Sequence, residues 1–153
     1  MTVCLIDTTV FCCIVPVPGR DQERPGVSEQ MQSLIRDQVS LILPLAAIIE
    51  TGNHIAQRGD GTVRRDAAAR FVTIVADAIE GRTPFTPTPF FKPTEVGGWL
   101  SEFPERAMRG IGLADLSMIK EFHRQCALTP HRRVFIWSLD HHLSSYDQPA
   151  PEV

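Results

Sequence analysis

Hydrophobic and polar positions follow two rhythms along this chain. Three short apolar runs, Val3–Ile6, Leu41–Leu43 and Val134–Trp137, each end abruptly in polar or turn-forming residues. Runs of this length with a sharp polar boundary read as strands buried on both faces, the pattern of a parallel sheet. Between them, apolar residues recur three and four apart, the spacing of a helix with one inward face. Met31, Leu34, Ile35 and Val39 define a helix opened by Ser28. A second leads from Pro44–Leu45 through Ala46–Glu50. Ala67, Phe71, Ile74, Val75, Ala78 and Ile79 give the inner stripe of a helix over 63–80, with Gly81 past its end. Met118, Ile119 and Phe122 face inward on a helix opened by Leu113-Ala114-Asp115 and stopped before Pro130. Shorter helices are expected over 10–15 and 94–103.

The connections carry breakers. Arg20–Gly26 and the basic stretch Arg106–Gly112 read as loops, and Gly59-Asp60-Gly61 as a turn. The prolines of Arg82–Pro93 confine that segment to a short edge strand or an extended connector. Gly52 interrupts its helix at a cost of about 1 kcal/mol relative to Ala, which predicts close backbone approach beside it. Because strands and helices alternate throughout, the expected fold is α/β, with a small parallel sheet flanked by helices on both faces. Residues 1–147 are expected to form one domain and 148–153 a flexible tail.

Composition narrows the class. The 153 residues are 43% hydrophobic and 22% charged, with a net charge of −3, which argues against a protein held to nucleic acid by bulk charge. Thirteen of the 15 cations are Arg, the better bidentate partner for phosphate or carboxylate. Cys4, Cys12, Cys13 and Cys126 show no metal-ligand spacing and read as reduced thiols of a cytoplasmic protein. Neither a signal peptide nor a membrane span is expected, the longest apolar stretch, 39–49, being short and broken by Pro44.

Four acids carry the candidate chemistry. Asp7 and Asp140 each follow a buried strand, while Glu50 and Asp115 stand near helix starts. In a parallel α/β fold these positions share one edge of the sheet, where ligands bind. Each acid also has an ordinary explanation as a cap or a dipole-complementing residue. Convergence of all four is a different matter, because two carboxylates about 4 Å apart repel by roughly 4 kcal/mol at an effective dielectric near 20. A set of hard oxygen donors without His or Cys points to Mg²⁺ or Mn²⁺. His54 falls four residues after Glu50 and shares its face, as a supporting residue or an ordinary hydrogen-bonded histidine.

Ile6-Asp7-Thr8-Thr9-Val10, Glu50 after the second strand, Gly112-Leu113-Ala114-Asp115, and Ser138-Leu139-Asp140 after Val134–Trp137 resemble, in order, the four signatures of PIN-domain nucleases. The resemblance implies a Rossmann-like three-layer α/β/α fold and Mg²⁺- or Mn²⁺-dependent hydrolysis of phosphodiesters in RNA. It implies Asp7, Glu50, Asp115 and Asp140 as catalytic metal ligands, with Thr9 and Ser138 supporting them. Ser138 stands where the family more often has Thr, which keeps the hydroxyl. The family adds a final strand after the last acid. Asp147–Pro151 is a poor candidate for it, so a truncated sheet edge is expected. The size resembles the toxin ribonucleases of bacterial toxin–antitoxin pairs, which brings in an antitoxin protein and a second copy of the chain as candidate partners. Arg106 and Arg109 are candidate contacts to the RNA backbone, or simply solvated cations.

Two other classes compete. A non-catalytic PIN-like module binding RNA or protein would have no reason to tolerate four repelling acids. A phosphatase of the haloacid-dehalogenase type also begins with an Asp after a first strand. Its chemistry needs a second acid two residues later, where this chain has Thr9.

Overall fold

A computed structural model describes residues 1–152. The central strand is β1 (Thr2–Ile6), which pairs in parallel with β2 (Ser40–Leu43) on one side and β4 (Arg133–Trp137) on the other. Strand β3 (Phe85–Pro87) adds in parallel to β2, and β5 (Asp147–Gln148) pairs antiparallel to β4, giving the order β3-β2-β1-β4-β5. The sheet is thus mostly parallel. Residues Cys4, Leu5 and Ile6 have no exposed surface, as a strand covered on both faces requires.

The helices fill the connections. α1 (Thr8–Ile14) and α2 (Arg24–Arg36) lie between β1 and β2, α3 (Leu45–Ala56) and α4 (Gly61–Ile79) between β2 and β3. α5 (Pro93–Leu100), α6 (Phe103–Met108) and α7 (Leu113–Leu128) lead to β4, and α8 (His141–Ser144) leads to β5. From β1 the chain steps outward twice in one direction and then returns across the sheet to β4. Right-handed crossovers therefore place α1–α4 over one face and α7 over the other. Phe11, Phe71 and Phe85 meet edge to face beneath the first layer, and Met118, Ile119 and Phe122 of α7 are buried in the same core cluster. No helix among the described residues is long and apolar enough to cross a membrane.

Several expected boundaries move. α2 opens at Arg24, inside the expected loop, because Pro25 sits in the first turn where its missing N–H costs nothing. For the same reason Pro104 starts α6, so Arg106 lies on a helix and Arg109 caps its end, where a loop was expected. The final strand is present, and Gln148 belongs to it, although the tail was expected to begin there. It is antiparallel, which departs from the all-parallel expectation. Nor does Gly52 mark a close approach, since a Cβ there would meet Phe71 at an ordinary 3.8 Å.

Candidate functional site

The register of β1 against β4 builds the first half of the site. Ile6 is level with Trp137, so the strands end together, and the Asp7 N–H donates to the Trp137 carbonyl at 3.0 Å. Asp7 and Ser138 consequently emerge side by side although 131 residues separate them. Asp7 is the N-cap of α1 and only 4% exposed. Its Oδ2 accepts from Thr9 Oγ1 at 2.8 Å, from Ser138 Oγ at 2.8 Å and from the Thr9 N–H at 3.3 Å. Each hydroxyl has one proton. With both protons directed at Asp7, the 3.2 Å between Thr9 Oγ1 and Ser138 Oγ is a contact and not a further bond. Their oxygens accept in turn from the Leu139 N–H at 2.9 Å and the Asp140 N–H at 3.0 Å. This closed network fixes the start of α8, where Asp140 is the N-cap and accepts from the His142 N–H at 3.0 Å.

The second half comes from helices. Glu50 lies in the middle of α3, and its Oε2 accepts from Thr8 Oγ1 at 3.0 Å. His54, one turn later, places Nε2 3.7 Å from Glu50 Oε1. Burial, with Arg20 and Arg58 nearby, pushes the His54 pKa down. Asp115 occupies the first turn of α7. That position favours the anion through the helix dipole, yet its pKa is pushed up to about 6. Desolvation is the largest cause, and repulsion from Asp7, Glu50 and Asp140 follows. Burial and like charge outweigh the dipole here.

Asp7, Glu50, Asp115 and Asp140 line one cavity of about 510 Å³, shared with Thr8, Thr9 and the loop after α1. No Lys, Arg or His is ion-paired with Asp7, Asp115 or Asp140 among the described residues. Nor do any three His, Cys, Asp or Glu side chains there converge closely enough to form a ready-made metal cage. The donor set is nonetheless of the kind that suits a hard cation keeping several of its waters, since such an ion needs only one or two carboxylates directly.

No family model, curated protein or solved structure matches the chain.

The four acids expected from the sequence line this one cavity without forming a cage, and Thr9 and Ser138 both donate to Asp7. Arg106 and Arg109 do not reach this cavity, and Arg106 lies 3.8 Å from Glu102 on its own helix turn. Thr8, which orients Glu50, was not expected; its only signal in the sequence is its place beside Asp7. Arg20 and Gln22 also line the cavity, from a segment that reads in the sequence as an ordinary surface loop. A second cavity of about 470 Å³ adjoins the first at Glu50 and is lined by apolar residues that include Ile49, Phe90, Phe91, Trp99 and Leu113.

Proposed function

We propose that this chain is a PIN-type, metal-dependent endoribonuclease with a three-layer α/β/α fold, acting in the cytoplasm. The observation that supports it most is the arrival of four acids from four separate segments at one cavity, where burial and then repulsion from the other three raise the pKa of Asp115. A purely structural role would leave such repulsion uncompensated. Asp7, Glu50, Asp115 and Asp140 would hold Mg²⁺ or Mn²⁺. When bound, the ion supplies Lewis acidity at phosphorus and a water of lowered pKa. Thr9 and Ser138 hold the Asp7 carboxylate in one orientation, and Thr8 does the same for Glu50. The raised pKa of Asp115 means that occupying the site near pH 6 releases a proton. An antitoxin protein or a second copy of the chain is a candidate partner by the same resemblance.

The direct test is cleavage. With Mg²⁺ or Mn²⁺ the purified protein should cut single-stranded or structured RNA, EDTA should stop it, and Asp115→Asn should abolish it with an unchanged circular-dichroism spectrum. Intact RNA under all these conditions would exclude the nuclease. A non-catalytic RNA- or protein-binding module is the second reading, favoured by the apolar cavity that adjoins the acids at Glu50. Binding without products would then be observed.

A further inference from the structure

Acids are not the only charges in the cavity. Arg20 lines it from the loop between α1 and α2. It has no ion pair among the described residues, and its Nε is buried without a hydrogen-bond partner. Arg58, just past the end of α3, repeats both features. The two are neighbours. A Cβ at Gly19, next to Arg20 in the chain, would stand in ordinary contact 3.5 Å from Arg58 Nη1, and both guanidiniums lie near His54, whose buried Nδ1 also lacks a partner. Elsewhere, Arg124 likewise has a buried, unpartnered Nε, but its Nη2 lies 3.2 Å from a Glu121 oxygen. Arg20 and Arg58 have no such carboxylate.

Two neighbouring cations without carboxylate partners, Arg20 at the cavity wall and Arg58 beside it, describe a place for an anion. A planar guanidinium presents paired N–H groups that match two phosphate oxygens. We propose that Arg20 and Arg58 form a phosphate-binding subsite that takes the RNA phosphodiester next to the one presented to the four acids. The proposal rests on RNA being the substrate. It assigns the strand a direction across the cavity, from the acid edge toward the α1–α2 loop. The positive φ of Gly19, +78°, is part of the device, because a side chain there would strain the loop that carries Arg20.

The test uses the full chain with Asp115→Asn as parent, in EDTA, and reads the anisotropy of a labelled single-stranded RNA across a salt series. In that background Arg20→Ala and Arg58→Ala should each weaken binding about fivefold at 0.1 M salt. Each should also lower the slope of log affinity against log salt by about 0.7, the value for one phosphate contact on a single strand. Arg20→Lys should keep most of the slope, and Arg65→Ala, at an exposed position on α4, should change neither quantity. An arginine with a merely structural role would lower the melting temperature and leave the slope intact. A parent that binds RNA with a slope indifferent to both arginines overturns the subsite alone. A parent that binds no RNA at any salt overturns the RNA reading and the subsite with it.

Discussion

Asp7 and Asp115 face the same cavity but are held in opposite ways. Asp7 is buried at the end of the central strand, and two hydroxyls and a backbone N–H satisfy it. Around Asp115, burial and three like charges outweigh the opposing effect of His142. A carboxylate can therefore belong to the fold and to the site at once, as Asp7 does. The alternatives of structural cap and site acid are exclusive only for a group like Asp115. The two residues should respond to substitution with opposite signs.

Asp7→Ala should produce the largest effect. Losing the α1 cap costs about 1 kcal/mol, and stranding two hydroxyls in a half-buried network costs about 1–3 kcal/mol more. Urea unfolding should show a loss of roughly 2–4 kcal/mol; a loss well under 1 kcal/mol would mean that the network does not hold Asp7 at all. Asp115→Asn should move the other way. Its folded pKa of about 6 lies above the ordinary 3.8. The native state therefore binds the proton more tightly than the unfolded chain, and the group's contribution to stability falls as pH rises from about 4 to about 6. In metal-free buffer at pH 7 the Asn variant should be more stable than wild type by about 1–2 kcal/mol, after allowing for partial solvent screening. The difference should vanish near pH 4. A gap independent of pH would break the comparison.

Smaller changes sharpen it. Ser138→Ala removes one donor to Asp7 and one acceptor for the Asp140 N–H, and should cost about 1 kcal/mol; Ser138→Thr should be near neutral. Asp140→Asn should change stability by less than about 0.5 kcal/mol, since Asn caps a helix as well as Asp does. Loss of RNA cleavage in that variant at unchanged stability would separate Asp140's cap from its chemistry.

The apolar runs of β1, β2 and β4 were legible in the sequence because a strand covered on both faces has little choice of residue. Glu50 reaches the acid edge from the middle of α3, whereas Asp7, Asp140 and Asp115 were legible because strand ends and helix starts share one edge of a parallel sheet. How each acid is satisfied was not. Thr8 reaches Glu50 across 42 residues and Ser138 reaches Asp7 across 131, distances over which local pattern carries no information. The starts of α2 and α6 were hidden for a different reason. A proline among charged residues marks a loop and a helix N-terminus equally well. Strand β5 was invisible because both its residues are exposed. It is held by the Arg133–Asp147 pair, bonded at 2.9 and 2.6 Å, rather than by burial.

That small strand settles how the sheet can grow. An uncovered parallel sheet offers its outermost backbone groups as a template on which another chain can lay a strand. Here β4 is shielded by a two-residue cover clamped by a charged pair. At the far margin β3 is three residues long, contains Pro87 and has Pro84 and Pro89 close by. Proline has no N–H to offer a newcomer. Neither margin suits continuous sheet formation between molecules.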